Sequence, residues 1–283
     1  METIYILLPV HNRRDITQRF IQCLRLQTYR NYHLVLIDDG STDGTEEMVR
    51  SQIQTLTVIK GRGDWWWAAS LQQGYLWVKS QPSNVSDVVL IINDDTEFSP
   101  DFFEKALERV RSNPRILLFA QCYSRYTGEA VNVGFHIDWR RFRVQQAKQA
   151  EEVNCFSSTA LFMRVDRFLE TGGFRPKLLP HYGSDMEFTM RARGKGMELK
   201  TDPSVRVVWD ERATGRHRFA DGDFLSFLRK YFSKRSPLNP VVWTILIALS
   251  CPWPWKPINW LRVWAGAAWQ VTQFLVQKKT GPQ

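Results

Sequence analysis

Val89-Leu-Ile-Ile-Asn-Asp-Asp-Thr-Glu-Phe98 passes from apolar to acidic in one step. With Val88, the residues up to Ile92 make a β-branched and aliphatic run of the length of a buried strand. Asn93, Asp94 and Asp95 follow at once. Two adjacent carboxylates at the end of a buried strand repel each other and are costly to take out of water. In one reading the strand simply ends at a solvated turn, which Asp and Asn favour. In the other, a divalent cation carrying a phosphorylated ligand neutralises the pair.

Outward from this stretch, the first 120 residues alternate strand and helix. Strands are predicted over 4–9, 33–37, 56–59, 88–92 and 116–120, and helices over 16–26, 45–52, 67–79 and 100–112. Such alternation implies parallel strands joined by right-handed crossovers, hence a doubly wound sheet. Ligands in such sheets lie at the carboxyl ends of strands. Polar motifs stand there: His-Asn-Arg at 11–13, Asp-Asp-Gly-Ser at 38–41 and Asn-Asp-Asp at 93–95. Residues 121–210 are less regular, with a strand near 158–163 and a helix over 184–195. A basic helix is expected over 224–232, an apolar run over 241–251, and a last amphipathic helix over 258–276, with prolines between them.

The chain has 283 residues, enough for one large α/β domain and an appendage, and its 43% apolar content supports a substantial core. Cys23, Cys122, Cys155 and Cys251 are widely spaced, with no C-x-x-C, which argues against a disulfide framework or zinc site and fits a reducing cytosol. The N-terminus reads as a first strand rather than a signal peptide, and no apolar run of about 18 residues suggests a membrane span. Formal net charge is +9. From Arg212 onward eleven Lys or Arg face two acids, so the whole excess lies in this tail and the preceding residues are balanced. That asymmetry argues against a general nucleic-acid binder and for a basic tail with its own anionic partner.

Leu36-Ile-Asp-Asp-Gly-Ser-Thr-Asp-Gly-Thr45 is the second acidic strand end. Gly40 allows a sharp turn and Ser41 or Thr42 can begin a helix. A carboxylate here can accept from a pyrimidine ring N–H or a ribose hydroxyl, or can serve only as a turn and cap. Taken with Leu8-Pro-Val-His-Asn12, Asn93-Asp-Asp95, Glu170-Thr-Gly-Gly-Phe174 and Tyr182-Gly-Ser-Asp-Met-Glu-Phe-Thr-Met-Arg191, the sequence resembles the family 2 glycosyltransferases of GT-A fold over residues 3–210. Asn93-Asp-Asp95 corresponds to that family's D-x-D-type motif.

The resemblance implies an α/β, Rossmann-like, mostly parallel sheet with a nucleotide-sugar half (1–120), an acceptor half (121–211) and a basic, Trp-rich helical extension (212–283). It implies Asp39 at the nucleobase, with Pro9 and Asn12 lining the pocket, and Asp94 near the ribose. Asp95 would bind Mg²⁺ or Mn²⁺ on the donor diphosphate, since hard cations prefer oxygen ligands. Asp185 would be the general base, giving inversion at the anomeric carbon; it would equally serve as a helix cap. Two residues depart from the family pattern. Ser184 stands where Glu is usual, and no His follows the strand at 205–208, leaving Asp210 or His217 as alternatives for a second metal ligand.

Gly63-Asp-Trp-Trp-Trp-Ala-Ala-Ser-Leu-Gln-Gln-Gly74 occupies the region that approaches the donor in the family. Asp64 is a candidate nucleotide contact, and Trp66 and Trp67 are candidates for sugar contact because aromatic faces cover sugar rings. Three consecutive Trp cannot all face one side of a helix, so at least one belongs near the surface or cleft. Six of the twelve Trp fall in the last 41 residues beside Lys and Arg, a combination suited to a membrane interface. The alternatives are a homo-oligomer interface or a lid. The leading expectation is an inverting transferase, peripheral at the inner face of the cytoplasmic membrane, with a lipid-linked glycan acceptor. The sequence resembles bacterial rhamnosyltransferase-like surface-glycan enzymes within that family, and this resemblance implies dTDP-rhamnose as donor, with a UDP-sugar next. A sugar-1-phosphate nucleotidylyltransferase and a non-catalytic nucleotide-binding scaffold are the competing readings. The first would need a Gly-rich N-terminal loop, which His11-Asn-Arg-Arg lacks; the second is disfavoured by the coexistence of Asp39, Asp95 and Asp185.

Overall fold

The computed structural model describes residues 1–82, 84–210, 212, 223–234 and 236–280. The first half runs β1 (Ile4–Val10), α1 (Arg14–Arg25), β2 (Tyr32–Asp38), α2 (Thr45–Arg50), β3 (Leu56–Lys60), α3 (Trp66–Ser80), β4 (Val88–Ile92), β5 (Thr96–Glu97), α4 (Phe102–Ser112) and β6 (Ile116–Ser124). Then come β7 (Ala130–Asn132), β8 (Phe135–Asp138), β9 (Arg143–Gln146), β10 (Ala160–Arg164), α5 (Val165–Thr171), α6 (Ser184–Gly194) and β11 (Glu198–Trp209). Helices α7 (Phe224–Tyr231), α8 (Pro240–Ser250) and α9 (Lys256–Thr280) end the chain.

The main sheet has the order β3-β2-β1-β4-β10-β6-β11-β5, with β7 beside β6. β1, β2, β3 and β4 are mutually parallel, as the β/α alternation requires. Their aliphatic runs explain the burial: every residue of β4 is buried because the sheet is covered on both faces. Helix α1 buries Thr17, Phe20, Ile21 and Leu24, a stripe at helical spacing that lays the helix along the sheet. This docking carries Arg13 and Arg19 to the β4 end of the sheet.

One boundary differs from expectation, and two details refine it. β10 is inserted antiparallel between β4 and β6, within the expected mostly parallel sheet. β11, at 12 residues, is much longer than the segment expected around 205–208, and it carries a register shift between Asp202 and Arg206. Pro9 lies within β1, as expected, and pairs with Ile37. The β1–β4 ladder ends at Leu7, so the N–H that Pro9 lacks is not missed on that side.

The C-terminal helices pack on the later half of the chain. α8 places Val242 and Leu246 against Leu179, beside Tyr182, Met186 and Trp139. Asn259 of α9 is wholly buried and donates from Nδ2 to the Trp139 carbonyl at 2.8 Å, which ties α9 to the β8–β9 hairpin. Other faces stay open: Trp253 is 76% exposed, Leu261 65% and Trp269 62%. Among the described residues no helix is long and apolar enough to cross a membrane.

Candidate functional site

At the end of β2, Asp39 accepts hydrogen bonds from two backbone amides. Gly63 N donates to Oδ1 and Trp65 N to Oδ2, both at 2.8 Å. A Cβ on Gly61 would stand 2.4 Å from Asp39 Oδ1, so only glycine lets the β3–α3 loop close this tightly on the carboxylate. Gly40 has φ +74°, and a Cβ there would lie 2.9 Å from Gly63 N. Asn12, exposed and at φ +51°, accepts at Oδ1 from Thr42 N (2.8 Å), while its own N donates to Ser41 Oγ (2.9 Å). Asn12 therefore stitches the β1 loop to the β2 loop, and Pro9 is buried beneath them. Asp64 is exposed in the β3–α3 loop.

The β4 end is compensated differently. Asp94 and Asp95 are both buried, and the Arg13 guanidinium bridges them. Its Nε lies 3.1 Å from Asp94 Oδ1 and its Nη2 lies 3.1 Å from Asp95 Oδ2. Thr17 Oγ1 donates to Asp94 Oδ2 at 2.9 Å. Burial pushes the Asp94 carboxyl up to about 6, against the pull of Arg13. Pairing of β5 with β11 brings Asp210 alongside: its N donates to the Asp95 carbonyl at 3.1 Å. Asp210 Oδ2 meets Arg19 Nη2 at 3.2 Å, and Oδ1 accepts from the Tyr126 hydroxyl at 2.9 Å. His217, the other alternative for a metal ligand, lies outside the described residues.

Asp185 sits in the first turn of α6. Its Oδ1 accepts from Met186 N (3.0 Å) and its Oδ2 from Ser158 N (3.3 Å). Burial of the carboxylate raises its pKa, opposed by these amides. The neighbouring hydroxyl of Ser158 accepts from Trp67 Nε1 at 2.9 Å. Trp65 and Trp67 pack partly against the main core, whereas Trp66 faces elsewhere. With φ +60° at the start of α3, a strained position for a non-glycine residue, it meets His181 edge-on at 5.9 Å between ring centroids. Lys234, from the α7–α8 connection, places Nζ 5.9 Å from the centre of the same ring.

The donors at the β4 end suit a hard cation in kind, being carboxylate oxygens. Among the described residues no group of three or more His, Cys, Asp and Glu side chains gathers as a complete metal cage. A nucleotide-bound Mg²⁺ or Mn²⁺ needs only one or two carboxylates, its other positions going to phosphate and water. Asp95 offers carboxylate oxygen of the right kind, but its Oδ2 is held by Arg13, and the Asp210 carboxylate is held by Arg19 and Tyr126. Buried Asn93 Oδ1, with no hydrogen-bond partner among the described residues, adds a further oxygen at this turn. The residues that sequence reasoning missed are Arg13, Thr17, Arg19, Tyr126, Ser158, His181 and Lys234. Only Arg13 carried a signal, lying in a polar motif directly after β1.

A mostly parallel sheet that gathers carboxylates at its strand ends, with an antiparallel strand set beside them, defines a GT-A-type glycosyltransferase fold. Glycosyl transferase family 2 matches residues 5–169, more than half of the chain, and the chain belongs to that family. A curated relative, an uncharacterized glycosyltransferase of Haemophilus influenzae, is 26% identical over 180 residues, covering 61% of this chain and 56% of the relative. The chain thus spans little more than half the length of that relative. Solved structures agree in fold. GalNAc-T7 with UDP, GalNAc and Mn²⁺ superposes with a TM-score of 0.60 at 15% identity, over 85% of this chain and 48% of that one. The mannosyltransferase PcManGT of Pyrobaculum calidifontis, in complex with GDP-Man and Mn²⁺, gives 0.56 at 17%, over 98% and 79%. TarS of S. aureus gives 0.58 at 17%, over 93% and 48%.

Proposed function

We propose that this chain transfers a sugar from a nucleoside-diphosphate donor to an acceptor hydroxyl, with inversion at the anomeric carbon. One observation carries the reading: residues 158–159 join the two candidate centres. The Thr159 carbonyl accepts from Asn93 N at 3.0 Å, and Ser158 N donates to Asp185. The acid pair after β4 and the carboxylate of α6 are thereby fixed to one short segment.

In this reading residues 1–120 hold the donor, 121–211 the acceptor, and 212–283 form the extension. Asp39 and Asn12 shape the nucleobase pocket over Pro9, with Asp94 toward the ribose and Asp64 toward the nucleotide. A pyrimidine donor suits a carboxylate acceptor, so dTDP-rhamnose or a UDP-sugar is proposed. Asp95 would hold Mg²⁺ or Mn²⁺, which supplies positive charge to the leaving diphosphate. Asp185, its basicity raised by burial, takes the proton of the acceptor hydroxyl. Trp66, against His181, and Trp67, bonded to Ser158, are proposed to offer aromatic faces to sugar rings.

The acceptor is proposed to be a lipid-linked glycan. Exposed Trp253, Leu261, Trp264 and Trp269 lie on a segment that also carries Lys256 and Arg262, and each basic side chain near an anionic leaflet contributes about 1 kcal/mol. Lys234 over Trp66 ties this extension to the acceptor side. The side chains of Lys278 and Lys279, proposed to end the basic face, lie outside the described residues.

The test is a thermal-shift screen of UDP, dTDP and GDP with and without Mn²⁺, followed by flotation with anionic liposomes at low salt. Stabilisation by a pyrimidine diphosphate that needs Mn²⁺ and is lost in Asp95→Asn is expected, as is co-flotation of the full chain. A nucleotide response indifferent to both Mn²⁺ and Asp95 would favour a scaffold. A stable oligomer that ignores liposomes would assign the exposed face to self-association.

A further inference from the structure

Water and a metal are the two counterions that the sequence suggests for Asp94 and Asp95, and the structure supplies a third. Arg13, at the N-terminal boundary of α1, contacts both carboxylates, while Arg19 one helix face further along contacts Asp210 and Glu97. The Asp94 and Asp95 side chains are only 5% and 4% exposed, while Arg13 keeps 29% of its side-chain surface open. Arg13, just before α1, and Arg19 within it thus bring guanidinium groups to Asp94, Asp95 and Asp210.

A divalent ion on Asp95 would lie a few ångströms from the Arg13 charge, inside a region that screens poorly. Both cannot keep the same oxygen without strong repulsion. We propose that Arg13 is a resident counterion of the acid pair, which a divalent cation must displace before it can bind. The inference rests on the donor-site reading above, because what releases Arg13 is a diphosphate. A guanidinium matches phosphate oxygens as well as it matches carboxylates, so an arriving nucleoside diphosphate offers Arg13 a new partner and carries the metal in. The protein should then bind metal poorly alone and well together with nucleotide. Until then Arg13 stays paired with both buried carboxylates and offsets part of their charge.

The probe is Mn²⁺ alone, with free ion counted by electron paramagnetic resonance, on full-length wild-type protein, Arg13→Met and Arg13→Lys. Wild type is expected to bind weakly. Arg13→Met should bind about tenfold more tightly or better, as removal of a unit positive charge close to the ion requires, and Arg13→Lys should stay near wild type. Arg13→Met should also melt lower without metal and recover in Mn²⁺, which loss of a purely structural contact would not do. Should Arg13→Met fail to fold, the comparison is made between Asp94→Asn and Asp94→Asn/Arg13→Met, where charge balance is kept. Mn²⁺ affinity unchanged by the loss of Arg13 in either background overturns the proposal. Failure of the donor-site reading is distinct: wild type would ignore nucleoside diphosphates at every Mn²⁺ concentration, whatever Arg13 does to the metal alone.

Discussion

The ends of β2 and β4 look alike in sequence: an aliphatic strand runs into two adjacent Asp. In the folded protein they are neutralised by different means. Asp39 is held by the amides of Gly63 and Trp65, and Asp38 accepts from Ser41 N at 2.8 Å. Asp94 and Asp95 are held by the guanidinium of Arg13, just before α1, and Asp94 also by the Thr17 hydroxyl of α1. Backbone amides are fixed by the path of the chain, so a carboxylate they hold is part of the scaffold. A side-chain cation can rotate away, so a carboxylate it holds can be handed to another partner. Asp185 belongs with the first kind, being fastened by the amides of Met186 and Ser158.

The largest expected effect tests whether an amide-held carboxylate can also do chemistry. Asp185→Asn keeps size and one acceptor oxygen but removes the proton acceptor, so the rate of sugar transfer should fall about 10²–10⁴-fold. Donor affinity, measured by calorimetry, should hold. Equal losses in both would move Asp185 into the donor site or the scaffold.

Next comes a direct contrast of the two strand ends in chemical denaturation. Asp39→Asn presents an NH₂ to one of two converging amides and leaves it unsatisfied, a cost of about 1–3 kcal/mol. Asp94→Asn removes a buried charge that lies beside another of like sign, and leaves Arg13 its bond to Asp95. Its effect should be smaller than that of Asp39→Asn by about 1 kcal/mol or more. Equal destabilisation would erase the distinction between scaffold and exchangeable carboxylates.

The smallest effect sets the buried arginine pair against one at the surface. Arg111 donates to both oxygens of Glu2, at 2.9 and 2.8 Å, and holds its carboxyl down at about 2. Because the folded pKa lies below the ordinary value of 4.5, the pair's contribution is present above pH 4.5 and fades as pH falls toward 2. With Arg111 half exposed, Glu2→Gln should cost only about 0–1 kcal/mol at pH 7. Unfolding curves of Glu2→Gln and wild type should converge near pH 2. A gap that persists there would mean that packing, not charge, sets the Glu2 contribution.

Local sequence determined the repeating strands and helices of the first 120 residues, because burial side and turn chemistry leave periodic marks within about ten residues. It also determined which polar motifs stand at strand ends, and the order of those motifs carried the family resemblance. Boundaries were close: helix 184–195 was expected and Ser184–Gly194 is observed. Tertiary structure alone decided who neutralises whom. Nothing near residue 160 marks β10 as the antiparallel neighbour of β4, since a five-residue buried strand reads the same in either direction. The β5–β11 pairing that sets Asp210 beside Asp95, the reach of Arg13 across 82 residues to Asp95, and the approach of Lys234 to Trp66 are likewise long-range. A charge in sequence declares only that it needs a partner. Which partner it finds depends on how helices dock on the sheet, and that is settled by packing of the apolar faces rather than by the charges themselves.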